Sequence, residues 1–585
     1  TVVIIESGIL DSTDTEASTA SLLNVIPATL QDLLLSRLDR MAADRDVIQF
    51  AATIGREFSF ELLAAACDLP EADLHSELDK LVRAEILFQK GQRSEAGYIF
   101  KHALLQDAAY RSMLSTKRQA CHQCIAEALE SRFPQTAEAQ PELLAHHFTA
   151  AGSTEKAVGY WLKAGLRSRE QSAEIEAISH LTKGRKLVET LPESPERDGM
   201  ELQILSPLGT AYIASRGYAA PEVGPIFARA RELCEKIGDP TALLAVMWGI
   251  WVWNLVCGKL QLCRDLAQEA MGWAEAGGDR GIIMETHHLP AVTMQYRGDY
   301  ARARDHSAEA ISLCDDPEVC RFWTARTGQN SSVAHRCYLF LPLWHLGSTD
   351  EALRVNEEAI GLAREIAHPF TLAYVLHHTG WFLLQCRLGA QLQAAAEEQI
   401  AITSEQGFAF WHASAIFYKG AGLFHQGDVE AALPLMEEGA QAWHATGAEL
   451  TMTYQFSTLC KAYTAAGRFE DAHKALDRGL RFVEDNEERC EEAELYRVKG
   501  ELLLAESSDQ TAAEACFHQA LATARRQQGK AWELRTTMSL ARLWQQQNRR
   551  EEAHAVLTSV YATWTEGFTT PDLKDAGALL AELQR

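Results

Sequence analysis

The chain contains no GxxxxGK[ST] segment, so no loop of that kind cradles a nucleotide's phosphates. It contains no GxSxG elbow either, and a Ser/His/Asp triad assembled on paper has no strand-to-helix turn to present its nucleophile. Basic residues are scarce: 55 Lys and Arg face 80 Asp and Glu, for a net charge of −25 and a pI near 5.3. That balance excludes a nucleic-acid or anionic-membrane surface spread over the whole chain, while leaving room for a local basic patch. Cysteine is present but lacks a framework. The thirteen cysteines are scattered and odd in number, which reads as reduced, cytosolic thiols. The pair Cys121–Cys124 lies inside a helical run, RQACHQCIAEALE, without a second pair or a βαβ context, so it suits neither zinc nor redox work. The adjacent histidines at 146–147, 287–288 and 377–378 leave a helix about 100° apart, which is poor geometry for one metal ion. No metal site is expected.

Long uncharged runs are also rare. Thr241 to Gly258 has no charge over 18 residues, at the lower edge of a spanning helix. It falls where the first helix of a repeat should lie, so it reads as a buried helix, and no membrane partner is expected. Trp248, Trp251, Trp253, Trp381 and Trp411 read as core for the same reason.

What the chain does have is a spacing. Around Gly298 the sequence is GDYARARDHSAEA, with Ala303 five residues and Ala310 twelve residues beyond the glycine. The frame recurs at Gly347 (Ala352, Ala359), Gly389 (Ala394, Ala401) and Gly152 (Ala157, Ala164). It recurs at Gly427 with Ala432 and at Gly467 with Ala472, and survives with substitutions at Gly258 (Cys263, Ala270), Ser508 (Ala513, Ala520) and Asn548 (Ala553). From Gly258 onward the marks fall 38 to 49 residues apart. The glycine ends one helix in a left-handed conformation, which costs glycine little. The alanines, seven apart, share a face of the next helix and admit a close neighbour. One such pair cannot bury its own apolar face, so the units must stack, and arrays of this kind usually bind rather than react.

Taken in order, residues 1–26 begin apolar (TVVIIESGIL) and continue as a Ser/Thr/Asp-rich linker. Because the chain opens at Thr1 rather than Met, it reads as a fragment. Pro27 opens a helix, IPATLQDLLLSRLDRM, and further helices are expected at about 45–54, from Ser59 and from Pro70. ILFQK and GYIFK, separated by GQRSEA, read as a β-hairpin. Helices followed by a two-stranded wing suggest a winged helix over 27–110. Its last helix carries Glu71, Asp73, Glu77 and Asp79, which argues against phosphate contact and nucleic-acid binding. Residues 111–190 read as a helical connector with the first repeat, and 191–585 as the repeat superhelix. The fold class expected is therefore all-α with one small β-hairpin.

Four stretches carry a resemblance: IPATLQDLLLSRLDRM with AATIGREFSFELL, FKHALLQDAAYRSML, PELLAHHFTAAGSTEKAVGYWLKAG, and the tail from AEACFHQALATARRQQGKAWEL to SVYATWTEGFTTPDLKDAGALL. Together they look like the C-terminal two-thirds of bacterial proteins that join a class III adenylate/guanylate cyclase to a STAND/AAA-type ATPase and a tetratricopeptide tail. The resemblance covers nearly the whole chain. It implies that residues 1–26 end the ATPase module and that 27–110 are its winged-helix lid. No cyclase metal-carboxylate motif is present, so this region is expected to be non-catalytic and to hold no cofactor, with ATP or ADP and Mg in the parent.

The resemblance also implies sites. His102, in FKHAL, matches a histidine that can contact the nucleotide's phosphates in STAND-type ATPases; the plain alternative is a histidine satisfied by local helix caps. Tetratricopeptide ligand positions lie two, three, six, ten and thirteen residues before the turn glycine. Mapped here they give His288, Gln295, Tyr296, Trp344, His345, Arg387, Phe424, His425, Tyr454, Lys461, Arg535 and Arg542. Aromatics mixed with cations suit a peptide or a partner's acidic tail. The function implied is a cytoplasmic sensor that binds a protein, peptide or small effector and controls an upstream ATPase in cis. The alternative is the sensor arm of a maltose-activator-type transcription regulator.

Overall fold

The computed structural model describes residues 45–91, 96–275, 280–314, 316–507 and 509–585. The expected helix at 27–41, the segment 1–26 and the turn position Ser508 lie outside them. The chain divides into two compact units: residues up to Ala164 with Lys186–Leu191, and Gly165–Arg185 with Pro192–Arg585.

The first unit opens with α1 (Arg45–Ile54), β1 (Glu57–Ser59), α2 (Phe60–Ala66), α3 (Glu71–Arg83), β2 (Leu87–Lys90) and β3 (Gly97–Phe100). The expected hairpin is there, with Leu87 opposite Phe100 and Lys90 opposite Gly97. The sheet is larger than a hairpin, however. β1 pairs with the other edge of β3, Phe58 opposite Tyr98, giving the antiparallel order β1-β3-β2. Three residues carry too little alternation to be read as a strand, and it is the buried Phe58, stacked on Tyr98 at 5.6 Å, that holds β1 in place. Ser59 then caps α2, its hydroxyl accepting from the Leu62 amide. Val47, Leu63, Leu74, Leu78, Phe100 and Leu105 form the core under the sheet.

α4 (Ala103–Arg111), α5 (Ser115–Arg132), α6 (Pro134–Ala139) and α7 (Pro141–Ala151) follow, and α8 (Thr154–Glu170) and α9 (Glu174–Val188) contribute residues to both units. Ile125 and Leu129 of α5 pack with Leu144, Phe148 and Trp161 in a second core. Cys121 and Cys124 lie on α5, the first buried and the second exposed.

The second unit is an α-α superhelix of tetratricopeptide type. α10 (Pro195–Arg216) and α11 (Val223–Ile237) start it. Helix pairs then follow: α12 (Pro240–Val256) with α13 (Leu260–Glu275), and α14 (Arg280–Tyr296) with α15 (Tyr300–Leu313). An extra helix, α16 (Pro317–Thr327), accounts for the one 49-residue stride in the frame. The pairs resume with α17 (Ser331–Leu346) and α18 (Thr349–Ile366), α19 (Pro369–Gln385) and α20 (Gly389–Gln406), and α21 (Ala409–His425) and α22 (Val429–Ala445). Last come α23 (Met452–Ala465) and α24 (Phe469–Asn486), α25 (Glu492–Ser507) and α26 (Gln510–Arg526), α27 (Lys530–Gln546) and α28 (Arg550–Tyr561), and a closing α29 (Pro571–Leu583). The uncharged stretch is α12, mostly buried, and among the described residues no helix is long and apolar enough to cross a membrane.

The frame holds at most of its marks. Gly258, Gly298, Gly347, Gly427 and Gly467 have positive φ, as does Asn548 at +62°. Ala303, Ala310, Ala352, Ala359, Ala432 and Ala472 are fully buried against the preceding helix. Gly389 is the exception. It lies in the first turn of α20, and the left-handed residue is Arg387, at φ +59°. The frame in this unit therefore starts two residues earlier, and buried Leu392 and Gln399 replace Ala394 and Ala401, which are exposed. Gly389 is small for another reason: a Cβ there would meet the Gly422 carbonyl of α21 at 2.9 Å.

Candidate functional site

The first helix of each pair faces inward. The array winds so tightly that its two halves meet across this inner face. The Glu449 and Leu450 amides donate to the Val256 carbonyl at 2.8 and 3.1 Å, and the Arg489 and Cys490 amides to the Tyr296 carbonyl at 2.8 and 3.0 Å. Tyr300 Oη and Trp532 Nε1 both donate to the Cys490 carbonyl, at 2.8 and 3.1 Å. Farther on, the Gly567 amide donates to Asp350 Oδ2 at 3.1 Å. The contacts to Val256 and Tyr296 each seat the loop before one inner helix on the end of another, more than 180 residues away in sequence.

This closure buries half of the residues that the offsets select. His288, Gln295, Tyr296, Trp344, His345 and Tyr454 are all at most 3 % exposed. Tyr296 stacks on Trp381 at 5.4 Å, His345 on Tyr300 at 3.9 Å, and Tyr454 donates to or accepts from Tyr418 at 2.7 Å. Burial drives the His288 imidazole down to about 3 and keeps it neutral. These six form a packed interior rather than an open groove, because the offsets describe a single pair and the winding of the whole array covers them.

The other six line one basin of about 500 Å³ toward the C-terminal end of the array. Arg387, Phe424, His425, Lys461, Arg535 and Arg542 converge there with Arg497, Glu494, Glu501, Asp572 and Asp575. Asp572, on α29, binds Arg387 at 3.1 Å and Arg535 at 2.8 Å. Burial pushes the Asp572 carboxyl up, but Arg535 and Arg387 outweigh it and hold it below the usual range. Arg535 also donates to the Gln385 carbonyl and sits 5.2 Å over the rings of both Trp344 and Trp532. On α25, Arg497 clamps Glu494 through two bonds of 2.7 and 2.8 Å, and Lys461 adds a third at 3.2 Å.

Two side chains are left without such partners. Arg542 is exposed and has no carboxylate within 4 Å among the described residues. His425 has a buried Nε2 with no hydrogen-bond partner in the protein. Burial, then Lys461, Arg535 and Arg387, lower its pKa to about 3. Five cations face four carboxylates, so one positive charge is in excess in a strongly acidic chain.

Arg497, Glu494 and Glu501 escaped the offsets because each lies one residue beyond an offset counted back from the mark at Ser508, although their spacing places them on one helix face. Asp572 and Asp575 lie beyond the last repeat and carry no frame at all. In the first unit, His102 occupies the N-cap of α4 with its ring exposed and no side-chain capping bond; its carbonyl accepts from the Leu105 amide at 3.0 Å.

No protein-family model matches the chain. An uncharacterized protein of Rhizobium meliloti is 24% identical over 352 residues, covering 60% of this chain and 34% of the relative; the chain thus spans about a third of that relative's length. Among solved structures, a Rap protein complexed with Competence and Sporulation Factor is 14% identical, with a TM-score of 0.35 over 74% of this chain and 99% of that one. The APC/C Cut9–Hcn1 hetero-tetramer is 12% identical, with a TM-score of 0.45 over 80% and 88%. A STAND protein with a tetratricopeptide repeat sensor from Pyrococcus horikoshii is also 12% identical, with a TM-score of 0.36 over 82% and 63%. Likenesses at these scores carry no functional argument.

Proposed function

We propose that the chain is the sensing and regulatory region of a longer, cytoplasmic signalling protein. The array takes a protein, peptide or small effector in the basin, and the first unit passes that event to an upstream STAND-type ATPase, fused in the parent to a nucleotide cyclase. The chain itself is not an enzyme in this reading; ATP or ADP and Mg belong to the parent. The observation that carries it is the basin. It gathers six of the selected residues, exposes an unpaired arginine, holds a neutral histidine in its lining, and backs them with the apolar Leu384, Phe424, Val498 and Met538. Charged side chains dominate the lining, which suits a charged ligand held by charge-assisted hydrogen bonds. The helix–strand–helix–helix–strand–strand order of the first unit supports its reading as a winged-helix lid, and the free ring of His102 is available to a phosphate.

The test is Arg542→Glu in the full-length parent. It places a carboxylate beside the basin's cations, imitating an acidic effector, at an exposed position that folding does not depend on. ATP turnover is expected to change about threefold or more while ATP binding stays the same, in line with ordinary coupling energies. Unchanged turnover would remove the regulatory link.

A further inference from the structure

The basin has two layers. At its surface are Arg542 and Lys461, which makes one ion pair although its ammonium has three donors, and the lining also holds the buried, unpartnered His425 Nε2. Beneath them Arg387 and Arg535 converge on Asp572, and Arg387 also reaches the half-exposed Asp575 at 2.8 Å. These contacts pin α29 to the end of α19, because Arg387 is the left-handed turn residue that follows α19 and Arg535 also holds the Gln385 carbonyl. The carboxylate of Asp572 is thus a built-in occupant of the cationic floor. A ligand group that contends with it on equal terms is another carboxylate, since the guanidinium fork matches that geometry. The apolar wall accepts the carbon skeleton of such a ligand.

We propose that the basin is a carboxylate-binding site in which the incoming carboxylates first engage Arg542 and Lys461 and then compete with Asp572 for Arg387 and Arg535, so that occupancy loosens α29. This rests on the basin being the effector site. It adds the chemical class of the effector and the way its arrival is converted into movement. Two sources of the same chemistry fit the volume, a small polycarboxylate and an acidic peptide.

Isothermal titration of this chain with citrate, and separately with triglutamate, at constant ionic strength tests it. Saturable binding is expected, weakened about tenfold or more by Arg542→Gln, which removes a charge-assisted contact without touching the fold. Asp572→Asn is expected to tighten binding about tenfold, because it removes the competitor. Asp575→Asn, at a half-exposed position, is expected to tighten it about threefold and serves if the first variant does not fold. Hydrogen exchange in α29 should accelerate when ligand is bound. Triglutamate binding with the same variant pattern assigns the carboxylates to a peptide, and citrate binding alone to a small molecule. Absent binding, or binding indifferent to Arg542→Gln, overturns the site; aspartate variants that fold but bind no tighter overturn the competition. If citrate binds as described but the parent's ATP turnover ignores Arg542→Glu, the regulatory reading falls and the site stands.

Discussion

Arg387 shows what a single backbone angle can cost and return. A non-glycine residue at φ +59° brings its Cβ close to the following carbonyl, at about 1–2 kcal/mol. In exchange the guanidinium reaches both Asp572 and Asp575, at 3.1 and 2.8 Å. Ala367 has the same strain without the return. It ends α18 at φ +53°, is exposed, and has only a methyl group to offer. Ala367→Gly is therefore expected to stabilise the chain by about 1 kcal/mol, read as a higher urea midpoint at unchanged slope. A lower midpoint would mean that glycine's extra freedom in the unfolded chain outweighs the relief of strain. Arg387→Gly offers no such clean reading, because it also removes the ion pairs.

Between elements, glycine does a second job, and this is where the sequence misleads. Turn glycines and the buried alanine stripe are legible because one steric demand selects one residue type. Gly389 was open to two demands, a left-handed turn or a close helix contact, and composition cannot separate them. The three-residue β1 was illegible for lack of pattern. In the basin, the offsets found Phe424, His425, Lys461, Arg535 and Arg542 through the frame, reached Arg387 only because Gly389 stands two residues past the true turn, and missed Asp572 and Asp575, which only the winding of the array brings there. Close contact is most acute between α21 and α22. A Cβ on Gly439 would lie 2.4 Å from the Phe417 amide nitrogen, and one on Gly420 2.8 Å from the Ala432 carbonyl. These are backbone atoms, so the helices themselves must part. Gly439→Ala is expected to cost about 2–3 kcal/mol. Gly361→Ala is the control: it lies within α18, a Cβ there meets nothing within 4 Å, and ordinary helix propensity predicts a gain of about 0.5–1 kcal/mol. Equal effects of the two in chemical denaturation would dismiss the close-contact account.

Across the second unit as a whole, closing the inner face has an electrostatic consequence. It traps acids and imidazoles that an open array would leave in water. Burial, then neighbouring Glu494, pushes the Glu491 carboxyl up to about 8, where it accepts from Gln385 Nε2 at 2.5 Å. Burial pushes Glu285 up to about 7. His288 and His378 run the other way, lowered by burial to about 3 and about 4. The signs follow from proton binding. Below pH 4.5 Glu491 is protonated in both states and its contribution is fully present. As pH rises from there toward 8 the unfolded chain releases this proton while the folded chain keeps it, so stability falls by about 1.4 kcal/mol per pH unit. The neutral histidines contribute fully above about 6.5 and lose stability as pH falls below it, because the unfolded chain then takes up protons that the folded one refuses. Alkali therefore strains the array through its acids and acid strains it through its histidines. Glu491→Gln separates the two, since glutamine keeps the shape of the protonated acid and has no proton to hold. Its gain in melting temperature over the parent sequence should be absent at pH 4.5 and grow steadily to pH 8, with the histidine contribution cancelling in the difference. A gain that is the same at every pH would mean that Glu491 is ionised in the folded chain, balanced by Lys461 and Arg535, and that the closed face is wetter than its packing implies.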